Sequence, residues 1–102
     1  MLTKNERAAK VLAARKELGI RSSATLVDIK QAYRDLAREN HPDGCRPEEA
    51  AVRQEKMQAL NAAYEILMDY CHQYAFSFSE DVVEQQCRRQ DPFEHWKSQF
   101  VE

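Results

Sequence analysis

Apolar residues recur along most of this chain at intervals of three and four, the period of a helix with one buried face. Ala8, Val11, Leu12 and Leu18 mark the first such run. Ahead of it, Thr3-Lys4-Asn5-Glu6 reads as a capping box, in which hydroxyl and carboxylate each satisfy a free backbone N–H. Gly19 supplies a left-handed stop behind it, so a helix over about residues 4–18 is expected. Thr25-Leu26-Val27-Asp28 repeats the capping pattern. Ile29, Ala32, Tyr33, Leu36, Ala37 and Asn40 follow on one helical face. That helix must end near Asn40, because Pro42 pushes His41 out of the α region.

A third helix is expected from Pro47 to about Cys71. Pro47 suits a first turn, where a missing N–H costs nothing, and Glu48 and Glu49 complement the helix dipole there. Met57, Leu60, Tyr64, Leu67 and Cys71 form its apolar stripe, with Val52 and Ala63 beside it. A short loop joins the second and third helices, so they should form an antiparallel hairpin whose apolar faces meet, with the first helix closing the far side. Past residue 70 the character changes. Ala75-Phe76-Ser77-Phe78-Ser79 gives no clear pattern, while Ser77 or Ser79 can cap a short helix through Val82, Val83 and Cys87. Asp91-Pro92 then reads as a cap with proline at the first helical position, followed by Phe93, Trp96 and Phe100 on one face.

Composition narrows the class. Only Gly19 and Gly44 occur among 102 residues, which removes the glycine-rich phosphate loops and argues against a turn-rich β-sandwich. The formal charge of −2 offers no global basic field for nucleic acid. It is uneven: residues 1–17 carry five Lys/Arg against two acids, whereas residues 70–102 carry three against six. No apolar run approaches the ~18 residues of a membrane span, and the charged N-terminus is no signal peptide. Cys45, Cys71 and Cys87 are odd in number and form no CxxC pair, which points to a reducing, cytoplasmic setting. Cys71, His72, Cys87 and His95 match no standard zinc spacing, so no metal and no cofactor are expected.

The most informative tripeptide is His41-Pro42-Asp43, at the tip of the expected hairpin. A base beside a carboxylate needs a nucleophile, metal or substrate cavity to do catalysis, and the neighbouring sequence supplies none. Pro and Asp are also ordinary turn residues. The preceding helix adds to the picture. Lys30, Arg34 and Arg38 stack a turn apart in a stripe leading toward His41, with Asp28, Asp35 and Glu39 on a neighbouring stripe. Such a stripe is commonly a solvated face, yet three like charges a turn apart repel mildly, which favours a partner-facing role.

Taken in order, Leu18-Gly19-Ile20, Asp28-Ile29-Lys30-Gln31-Ala32-Tyr33-Arg34-Asp35-Leu36-Ala37, His41-Pro42-Asp43, Lys56-Met57 and Leu60-Asn61-Ala62-Ala63-Tyr64-Glu65-Ile66-Leu67 closely resemble the J-domain of DnaJ-type co-chaperones over residues 18–69. The resemblance implies an all-α J-domain, assigned to residues 1–72, and the change of character beyond it reads as a helical accessory arm over residues 73–102 that is expected to pack on the domain. It implies a non-enzymatic co-chaperone that binds a DnaK-type heat-shock ATPase and accelerates its ATP hydrolysis. In that reading Lys30, Arg34 and Arg38, with Tyr33 beside them, make the electrostatic contacts, and His41, Pro42 and Asp43 are the trigger. A monomer is expected, with no nucleic-acid or membrane partner.

The chain also departs from the family. Asn40 stands where an aromatic is common, Asp35 and Gly44 where bases are common, Cys45 where asparagine is usual, and Met57 where phenylalanine is common. No Gly/Phe-rich linker or zinc-repeat pattern follows. Client contact would therefore fall to the arm, with Phe93, Trp96 and Phe100 either packed on the domain or anchoring a client or scaffold protein. The competing expectation is a non-stimulating, J-like adaptor that works through this arm. A third, a small hydrolase using His41, predicts activity without any partner.

Overall fold

The computed structural model describes residues 3–89 and contains four helices: α1 (Lys4–Glu17), α2 (Leu26–Asn40), α3 (Pro47–Gln73) and α4 (Glu80–Arg89). Among the described residues there is no strand, so the chain is all-α as its patterning implied. Both expected capping boxes are formed. The Thr3 hydroxyl accepts from the Glu6 amide while the Glu6 carboxylate accepts from the Thr3 amide. Thr25 and Asp28 repeat the exchange at 3.0 and 3.1 Å. That pair of bonds has an electrostatic consequence. The Thr25 backbone N–H, and secondarily its side chain, hold the Asp28 carboxyl below its ordinary value.

The end of α1 is closed by its own backbone. Gly19 adopts φ 65°, its amide donates to Lys16 O at 3.1 Å, and the Ile20 amide donates to Arg15 O at 3.0 Å. This is the paired Schellman closure, which requires an N–H on the residue just past the cap. The Arg15 guanidinium reinforces it by donating to Ile20 O and Arg21 O.

The core sits along one edge of α3. Leu60, Ala63 and Leu67, three and four residues apart, are buried together with Ala14 and Leu18 from the α1 end and Ile29 from α2. Leu60 is 0% exposed. Both α1 and α2 pack on α3, whereas they do not pack on each other. The ion pair from Lys56 to Glu17 at 2.9 Å and the Arg7–Gln73 hydrogen bond fix α1 antiparallel to α3. The 27 residues of α3 make a rod of about 40 Å, along which the contacts of α1 run from Lys56 to Gln73 and those of α2 from Arg53 to Tyr64.

Three sequence expectations need correction. Leu12 is 53% exposed and Ala8 is also exposed, because the inward edge of α1 runs through Val11, Ala14 and Leu18. Val52 is 68% exposed, since the edge of α3 that meets α2 carries Arg53, Asn61 and Tyr64 instead. The third helix extends to Gln73, two residues beyond Cys71, and Tyr74 caps it with its amide on Cys71 O. After it, Tyr70, Tyr74 and Phe76 form an edge-to-face aromatic run on the surface. α4 packs on none of the other helices and buries none of its residues. Phe93, Trp96, Phe100 and His95 lie outside the described residues.

Truncating Leu60 to alanine should cost about 2–5 kcal/mol, measured by urea denaturation, because the site is fully enclosed and cannot collapse. Stability should also carry a small acid-dependent component from Asp28. Its carboxyl is depressed in the folded chain, so the contribution is present above the unfolded-state value and is lost as pH falls through the folded-state value. Denaturant midpoints of Asp28→Asn measured across that range should be flatter with pH than those of the wild type.

Candidate functional site: the loop at the hairpin tip

α2 ends because the chain cannot continue it. His41 leaves the helix with φ −65° and ψ 135°, the extended conformation that a following proline imposes. Pro42 to Cys45 then closes a turn, the Cys45 amide donating to Pro42 O at 3.3 Å. Gly44 sits in this turn at φ 79°, a conformation in which any other side chain would be strained. A base at this position would have to adopt it, which gives a local reason for glycine here.

The loop presents two polar side chains to solvent. His41 is 54% exposed and Asp43 is 90% exposed, with Nδ1 and Oδ2 3.6 Å apart. The Asp43 amide donates to His41 Nδ1 at 3.2 Å. A ring nitrogen that accepts carries no proton, so in the neutral imidazole the N–H is on Nε2. The carboxylate spends no hydrogen bond on another side chain among the described residues and is open to a cation from outside. An exposed pair of this kind lacks the dry enclosure that His–Asp catalysis requires. The loop thus offers solvent an imidazole donor and a carboxylate acceptor held a few ångströms apart.

Lys30, Arg34 and Arg38 are all exposed on the outer side of α2, whose inner side carries the buried Ile29 and the half-buried Tyr33 and Leu36. The three cations span eight residues, about 12 Å of helix, and none pairs with a carboxylate among the described residues. Asp35 is taken up by the Gln31 side-chain amide at 2.9 Å. The positive stripe therefore runs unneutralised toward the loop.

Tyr33 is placed differently from the cations it was grouped with. Its ring stacks on Tyr64 of α3, with centroids 4.4 Å apart and planes 20° off parallel, and its hydroxyl donates to Asn61. Only part of it faces outward, so it joins the two arms of the hairpin beneath the basic stripe. Two further groups hold the loop that no motif indicated. The Asn40 side-chain amide donates back to Leu36 O at 2.8 Å, and the Arg53 guanidinium of α3 reaches across to Glu39 O and His41 O at 3.4 and 3.3 Å. No sequence pattern marks Arg53, because its acceptors are the backbone carbonyls of Glu39 and His41.

The remaining candidate chemistry is sparse. Cys45, Cys71 and Cys87 are free, and burial pushes the Cys71 thiol up, away from reactive thiolate. No three potential metal ligands converge among the described residues. No described helix is long and apolar enough to cross a membrane.

A helical hairpin with His-Pro-Asp at its tip and a basic outer face on its first arm defines the J-domain class. The comparisons agree. The DnaJ domain family matches residues 16–75, more than half of the chain and slightly more than the 18–69 stretch that carried the resemblance. DnaJ homolog subfamily B member 11 of Homo sapiens is 52% identical over 54 residues, which are 53% of this chain and 14% of that protein. Chaperone protein DnaJ 2 of Mycobacterium tuberculosis is 52% identical over 52 residues, 51% of this chain and 13% of that protein. These matches span about one seventh of the length of the curated relatives. No solved structure matches. The chain belongs to the DnaJ domain family.

Because the Tyr33 ring bridges the helices while its hydroxyl bond is exposed, two substitutions should separate. Tyr33→Phe should change stability by less than about 1 kcal/mol, whereas Tyr33→Ala should cost about 2 kcal/mol through lost stacking and burial. Thermal denaturation of both variants measures the difference.

Proposed function

We propose that this chain docks on a DnaK-type heat-shock ATPase and accelerates its ATP hydrolysis, using Lys30, Arg34 and Arg38 for approach and His41-Pro42-Asp43 as the trigger. The observation that carries the reading is the intact His41-Pro42-Asp43, exposed at the hairpin tip of a chain that belongs to the DnaJ domain family. The division of labour follows from exposure. Exposed cations on a helix rim set the rate of encounter and its salt dependence more than the final affinity. A carboxylate that loses its water against a partner guanidinium forms a short, charge-assisted bond with demanding geometry, which sets specificity. The ATP chemistry then belongs to the partner, and this chain supplies neither a nucleotide site nor a cofactor.

The test is steady-state ATP hydrolysis by a DnaK-type chaperone with and without this protein. Wild type should stimulate, and stimulation should weaken as ionic strength rises. His41→Gln should abolish it at unchanged helical circular dichroism, since His41 lies in an exposed loop outside the core. Arg34→Glu should raise the concentration needed for half-maximal stimulation while leaving the maximum in place. Absence of stimulation by folded wild type, assayed with the chaperone of its own organism, would sink the reading. It would favour an adaptor that binds through residues 73–102.

A further inference from the structure

We infer that Arg53 is a positioning residue for the trigger loop: it supplies from α3 the helix closure that Pro42 denies to α2. The inference rests on the proposed function for its consequence, though not for its geometry. α1 shows what a backbone closure uses. The residue just past its cap, Gly19, donates its amide to Lys16 O, two residues before the cap. In α2 the cap is His41 and the residue just past it is Pro42, which has no N–H to give. The carbonyl equivalent to Lys16 O is Glu39 O. It is the one to which the Arg53 guanidinium donates, at 3.4 Å, with a second bond to His41 O at 3.3 Å.

The substitute is well suited to the place. A guanidinium is planar and permanently charged, so one nitrogen can serve two carbonyls while adding a cation at the negative end of the α2 dipole. Glu49, one turn earlier on α3, holds the other guanidinium nitrogen at 3.5 Å and orients the group. The His41 carbonyl belongs to the first residue of the trigger itself. Fixing it sets the direction in which His41, Pro42 and Asp43 leave the helix. Without Arg53 those carbonyls turn to water, and the loop samples several exits, only a fraction of which present His41 and Asp43 together. An affinity reduced by that fraction is the expected signature, because the partner binds only the competent conformer.

The test compares wild type, Arg53→Met and Val11→Ala, the last weakening the fold at α1, away from the loop. In the ATPase assay Arg53→Met should raise the half-stimulating concentration roughly three- to ten-fold, the range that the loss of one or two modest hydrogen bonds allows. Its maximal stimulation should stay at the wild-type level, because a loop once docked is held by the partner. Val11→Ala should move neither parameter. An unchanged half-stimulating concentration in Arg53→Met, or an equal shift in Val11→Ala, would overturn the inference. Amide exchange at Asp43 and Cys45, the two loop donors, gives a readout that needs no partner. Exchange should quicken in Arg53→Met and not in Val11→Ala. If wild type fails to stimulate any chaperone, the functional reading falls while this exchange difference still upholds the positioning role. Unaltered exchange in Arg53→Met would remove that as well.

Discussion

The fold depends on a single edge of α3. Leu60, Ala63 and Leu67 are buried by two helices that do not touch each other in any extended way, so α1 and α2 are joined only through the rod between them. Removing water from that edge is the main favourable term available to a domain with six buried hydrophobic residues among those described. Each flanking helix is too short to be stable alone in water and borrows its stability from α3. The capping boxes at Thr3 and Thr25 reduce what must be borrowed, by satisfying orphan donors at both N-termini before any tertiary contact forms.

This arrangement explains why the hairpin tip can be exposed without being loose. α2 is held to α3 near the turn by Arg53 and farther along the rod by the Tyr33–Tyr64 stack between the two arms. The basic stripe is on the far side of α2 from that stack, and it leads along the helix to the loop. In the proposed docking, the basic stripe and the His41-Pro42-Asp43 loop would reach the partner from one packed hairpin. A flexible tip would have to be ordered during binding, at a cost in conformational entropy that the packed hairpin has met in advance.

Much of this was legible in the chain because it is local. A hydroxyl three residues before a carboxylate marks a helix start, and proline after His41 marks a helix end. Both signals act over a few residues and both are realised at Thr25, Asp28 and His41. Face assignments were less secure. Leu12 and Val52 are apolar residues near the right spacing, yet they fall about one residue's rotation away from the edges that meet α3. On a helix contacted along only one narrow edge, 100° of rotation is the difference between core and solvent. Arg53 was not legible at all. Its partners are carbonyls, which every residue has, and their proximity is a property of the folded hairpin, since they lie 12 and 14 positions away along the chain.

The proline of the trigger and the arginine opposite it answer the same constraint from two sides. Proline makes the exit from α2 abrupt and sends His41 into extended backbone, which puts the following carboxylate out in solvent. The same ring removes the amide with which a helix ordinarily closes its last turn. The abrupt exit at His41-Pro42 thus creates an unsatisfied helix end beside the loop. Some group from outside α2 has to meet that need if the loop is to keep one shape. In this chain the group is a cation on the helix that already holds α2 in place. The contact that satisfies the backbone is for that reason also the contact that aims the loop.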